Sequence, residues 1–88
     1  MAVEISKEVL EKFDTAEGRK EIIKEYAGNI FVGKNVDGED ITVKVGNERF
    51  SVTTYQNNGW TMTHEYNNMG QCDTEICEGK WRDKKNEQ

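Results

Sequence analysis

A chain of 88 residues makes one domain of a size at which folding buries only about 60–65% of the extended surface, which argues against a large enclosed active site. One third of the residues are charged and the formal net charge is −5, yet aromatic and β-branched residues fall in ordered patterns, so the chain reads as globular and not disordered. No Lys or Arg lies between Arg49 and Lys80, whereas Glu65, Asp73, Glu75 and Glu78 do, and direct phosphate binding by that half is disfavoured because nucleic-acid affinity comes mainly from basic side chains displacing counterions.

Residues 1–5 read as an irregular lead-in. Ser6 is placed to cap a helix over about 6–13, with Ile5, Val9, Leu10 and Phe13 at helical spacing and Glu8 four residues before Lys12. Asp14, with Glu17 three residues on, offers a second N-cap for a helix over about 15–27 that carries Ile22, Ile23 and Tyr26 and stops at Gly28; Gly18 weakens its start. Both helices read as amphipathic cover for a sheet.

From Gly28 onward the period changes from helical to two. Asn29 to Val32 predicts a strand, 35–39 a turn holding Asp37 and Gly38, and Ile41, Val43 and Val45 a second strand. The clearest element is the hairpin from Arg49 to Tyr66, whose strands alternate Phe50, Val52, Thr54 and then Trp60, Met62, His64, Tyr66 around Asn57, Asn58 and Gly59. The Trp60, Met62 and Tyr66 face is expected beneath the helices. Residues 67–73 read as a turn and 74–78 as a fifth strand, with the sheet ending near Trp81 and 82–88 a polar tail that frays. The expected fold is α+β, with two N-terminal helices packed on one face of a four- to five-stranded antiparallel meander sheet.

The soft ligands are His64, Cys72 and Cys77. A zinc site wants four such donors with close Cys or His pairs, so no metal or cofactor is expected, and a metal or thiol site at these residues is the minor alternative. Cysteine catalysis is disfavoured because Asp73 adjoins Cys72 and Glu78 adjoins Cys77, which raises a thiol pKa. Phosphate-binding glycine loops are lacking, and the chain reads as a non-enzyme. Tyr55, Trp60, Tyr66 and Trp81 fit core packing better than base stacking, and Lys80, Arg82, Lys84 and Lys85 form only a small terminal cluster. After Met1 no basic stretch leads into an apolar one, and no apolar run approaches the roughly 20 residues that span a bilayer; the expectation is a cytoplasmic protein without a membrane.

At Thr54 to Trp60 (TYQNNGW) and Glu78 to Trp81 (EGKW) the chain resembles a loose group of small proteins of Gram-positive bacteria and their phages, in which a helical N-terminus precedes an NGW…(E/D)G(K/R)W ending. The resemblance covers about the C-terminal third and implies a mobile-element setting, hence the host cytoplasm for a phage-encoded protein. Small acidic phage proteins often occupy grooves meant for phosphate. The expected function is accordingly a small acidic protein-binding module, an anti-CRISPR-like inhibitor that fills a basic groove of a nuclease or other nucleic-acid-binding protein as a monomer or homodimer. Its contact residues are expected to be the exposed acids Asp37, Glu39, Asp40, Glu65, Asp73, Glu75 and Glu78. The structural alternative is a homo-oligomeric accessory protein that joins through a sheet edge or through Cys72 and Cys77.

Overall fold

The structure, a computed structural model, describes residues 2–56 and 58–78. In chain order the elements are β1 (Ala2–Glu4), α1 (Lys7–Lys12), α2 (Ala16–Tyr26), β2 (Ile30–Lys34), β3 (Asp40–Val45), β4 (Phe50–Tyr55), β5 (Thr61–Tyr66) and β6 (Cys72–Glu78). They form an α+β fold in which two helices pack on a six-stranded sheet with the strands in sequence order. Strands β2 to β6 are the antiparallel meander that the period-2 pattern predicts.

The expected four to five strands become six because the supposed lead-in is a strand. Ala2, Val3 and Glu4 pair in parallel with Ile30, Phe31 and Val32, which makes the sheet mixed. Parallel pairing needs a long crossover, and the two helices supply it. A three-residue strand is too short to display a period, so nothing in its sequence announces it. At the other end, Cys72 and Asp73 belong to β6 and not to the preceding turn, which spans 67–71. The EGKW ending beyond Glu78, the predicted sheet limit near Trp81, the polar tail and Asn57 of the hairpin turn lie outside the described residues.

Ser6 caps α1 as its hydroxyl predicts, accepting from Val9 N at 3.2 Å. The cap of α2 is Thr15 and not Asp14: the Thr15 hydroxyl accepts from Gly18 N at 3.0 Å, so the helix begins one residue later. Gly18 is also more than a weak point of the helix. A Cβ there would overlap the Lys12 carbonyl, so glycine is what lets α2 start directly against the end of α1.

The helices bury their apolar stripe on one sheet face. Val9, Ile22, Val43 and Phe50 are fully enclosed there, and each such side chain stabilises by about 1.5–3 kcal/mol relative to exposure. Beside them a stack of rings crosses the layers: Phe13 lies 6.1 Å from Phe50, and Phe50 lies 4.8 Å from Tyr66. Arg19 closes the stack, with its guanidinium carbon 5.1 Å from the centre of the Tyr66 ring. Its Nη1 donates to the Phe13 carbonyl and its Nε to the Gly70 carbonyl, both at 2.6 Å. One side chain thereby joins the end of α1, the 67–71 turn and β5.

Arg19→Lys keeps the charge but loses the planar fork that reaches two carbonyls at once. Losing one charge-assisted bond and the ring contact should cost about 1.5–3 kcal/mol, read as a lower urea midpoint at unchanged slope. Tyr66 gives a second expectation. Burial, then the nearby Cys72, push its phenol pKa up, while Arg19 opposes them. A folded-state pKa above the unfolded one means stability that is complete below about pH 10, the ordinary tyrosine value, and is lost as pH rises through the raised value. Tyr66→Phe should therefore flatten the alkaline fall in stability relative to the native chain, checked by urea unfolding on either side of that pH.

Candidate functional site

The two short helices do not span the sheet. They cover β2, β3 and the start of β4, and reach β5 only at Tyr66. Every other β5 side chain is half-buried, and along β6 all but Thr74 are exposed. The expected core face of the hairpin is thus corrected: Tyr66 packs into the core, Met62 and His64 are half-buried beyond the helices, and Trp60 precedes β5 with 43% of its surface exposed.

Cross-strand register sorts this uncovered half into two faces. On the helix side Val52, His64 and Glu75 are neighbours, as are Thr54, Met62 and Cys77. On the opposite face, which has no helix among the described residues, Val32, Thr42, Thr53, Thr63 and Ile76 make one row across five strands. Thr53 and Thr63 link their hydroxyls at 3.2 Å within it.

The seven predicted contact acids do not form one patch. Asp37, Glu39 and Asp40 lie at the β2–β3 turn, where Asn35 organises the loop by accepting from the backbone N–H groups of Asp37 and Glu39 at 3.0 and 2.9 Å. Glu39 is half-buried and accepts from the Asn35 amide at 3.1 Å, while Asp40 pairs with Lys34 at 2.7 Å. Of these three carboxylates, that of Glu39 is bonded within the turn and that of Asp40 to the neighbouring strand.

Glu65, Asp73, Glu75 and Glu78 cluster along β5 and β6. Arg49 bridges Glu65 at 3.2 Å and Asp73 at 2.8 Å, and the half-buried Glu65 is the less accessible of the two. Sequence reasoning passed over Arg49, whose place just before β4 brings it beside both acids. Glu75 lies 3.4 Å from His64, and Glu78 is exposed at the end of β6. Four carboxylates against one guanidinium leave this strand pair negative.

Cys72 and Cys77 are free and exposed on β6. Five strand steps of about 3.3 Å separate them, too far for a disulfide. Among the described residues no group of three or more His, Cys, Asp or Glu side chains is arranged to hold a metal ion, and no helix is long and apolar enough to cross a membrane. What the arrangement offers chemically is a strand at the margin of a sheet that carries carboxylates on both faces, Glu75 on the helix side and Glu78 on the other.

Comparison with known protein families, curated proteins and solved structures finds no match, so the reading of this edge rests on its residues and their placement.

Proposed function

We propose that this chain is a non-enzymatic binding module that presents its β6 edge and the acids there to a basic surface of another protein. The basic groove of a nucleic-acid-binding protein is the partner that fits, and anti-CRISPR-like inhibition by a mobile-element protein is the corresponding role. One observation carries this reading: the part of the sheet beyond the helices bears Asp73, Glu75 and Glu78 on an exposed strand, in an interval with no Lys or Arg after Arg49. Complementary potential steers such partners together and rejects others.

The reading narrows the contact set to β6 and assigns the β2–β3 turn acids to loop structure. The experiment is affinity capture from host lysate with three baits: the native chain, a triple reversal of Asp73, Glu75 and Glu78 to Lys, and a triple reversal of Asp37, Glu39 and Asp40 to Lys. A basic nucleic-acid-binding protein held by the native and turn-reversed chains and released by the edge-reversed chain supports it. Equal retention on all three contradicts it.

The bare face with Val32 and Ile76, each about 40% exposed, favours a second reading as a homo-oligomeric accessory protein. Light scattering with and without reductant separates the two: a single monomeric mass in both conditions removes the second.

A further inference from the structure

The two margins of the sheet are built differently. An exposed edge is normally blunted by shortness, by charged side chains, above all Lys, by Pro, or by a bulge. At one margin β1 is only three residues long. At the other, β6 runs for seven residues, contains neither Lys nor Pro, has its register shift only at its start, against Glu65 and Tyr66, and carries carboxylates as its sole charges, which repel an acidic strand and admit a basic one.

The hairpin fixes which β6 backbone groups point outward. Gln56 N donates to Trp60 O at 2.8 Å, so these two residues close the β4–β5 ladder. Bonded pairs then alternate along it, and Met62, His64 and Tyr66 spend their backbone groups on β4. Thr61, Thr63 and Glu65 turn theirs toward β6, where they face Glu78, Ile76 and Thr74. The N–H and C=O groups of Glu75 and Cys77 are therefore directed away from β5, at a margin that no other described strand pairs with.

We propose that β6 is a strand-addition site, and that its occupant is an extended, Lys- or Arg-bearing segment of the partner protein which pairs with the outward backbone groups of Glu75 and Cys77. This rests on the reading of β6 as the contact edge and adds the mode of contact. Backbone bonding along an edge supplies affinity in this mode, and alternate side chains supply specificity. Here the specificity is legible: Glu75, on the helix-side face, and Glu78, at the end of the other face, take cations, while Thr74 and Ile76, beside Glu78 on that face, take β-branched or apolar neighbours. Charge argues against a second copy as the occupant, since antiparallel pairing of β6 with itself about Glu75 sets glutamate against glutamate.

The test uses the full chain and, as probe, a blocked peptide in which lysine alternates with valine. In the native protein, saturating peptide should slow amide hydrogen exchange at Glu75 and Cys77. Cys77→Pro removes one outward N–H and no charge at a position where an edge strand tolerates proline, whereas Cys77→Val keeps that N–H. Cys77→Pro should weaken peptide binding roughly tenfold or more, and Cys77→Val should leave it within about twofold.

Peptide binding that falls on charge reversal of Glu75 and Glu78, but is indifferent to Cys77→Pro and slows neither amide, overturns strand addition while sparing the electrostatic reading. Binding indifferent to the charge reversal overturns both, as does an absence of binding. Slow exchange at Glu75 and Cys77 in the protein alone, together with a mass that grows with concentration, overturns the proposal in favour of a second copy. The exchange measurement stands by itself if Cys77→Pro does not fold.

Discussion

Gly70→Ala should destabilise the chain by about 2–5 kcal/mol, a large part of the roughly 5–15 kcal/mol that holds a domain together. Gly70 sits at φ +78° in the 67–71 turn, where a side chain costs about 1–2 kcal/mol in any surroundings. Its surroundings add to this, because a Cβ would overlap the Ala16 carbonyl at the start of α2, and neither group is a side chain that can swing away; crowding of this kind typically costs about 1–3 kcal/mol. The displaced turn would also carry away the carbonyl that Arg19 holds at 2.6 Å.

Two other glycines provide the comparison. Gly28 at φ +88° and Gly38 at +85° have open space where a Cβ would stand, so alanine there should cost only the backbone part, about 1–2 kcal/mol. Urea unfolding of the three variants checks the ranking. Equal losses at all three positions would mean that the contact between the 67–71 turn and α2 is not tight.

The second large effect concerns binding. Reversing Asp73, Glu75 and Glu78 together should lower partner affinity by about one to four orders of magnitude, on the basis of about 0.2–1 kcal/mol for each exposed pair lost and a similar repulsion gained. Most of the loss should appear in the association rate, and the steep weakening of native binding with added salt should flatten. Folding should change little, because these side chains are exposed; Asp73, through Arg49, and Glu75, through His64, have partners to lose, each within about 1 kcal/mol. Unfolding and binding measured on the same preparation separate a lost contact from a lost fold.

The legible parts of the sequence were those with a local physical cause. Gly59 takes φ +94° at the hairpin turn, and the residues from Phe50 to Tyr66 form the two paired antiparallel strands that their alternation predicts. Ser6 caps because its hydroxyl reaches a backbone N–H three residues on. What escaped depended on distant partners. β1 exists because β2 is beside it, and its three residues carry no pattern of their own. Arg19 did leave a signal: it stands three, four and seven residues before Ile22, Ile23 and Tyr26, within the apolar stripe, where a charged residue implies a buried task.

The acids show the same division. Their bias was visible along the chain, and their partners were not. Asn35, Lys34 and Arg49 decide which carboxylates serve the loop or the ladder, and none of these pairings follows from spacing alone. The core face of the hairpin was predicted correctly at Tyr66 and too broadly at Trp60 and Met62, because two short helices end before the sheet does.

Whether β6 and its acids are the contact surface can be read from amide chemical shifts of the labelled chain as the captured basic partner is added. The largest changes should fall on Cys72 to Glu78 and on the facing residues of β5, and they should fade as salt is raised. Changes centred on the β2–β3 turn at Asp37 to Asp40, or on the outer faces of the helices, with β6 unmoved, would contradict it.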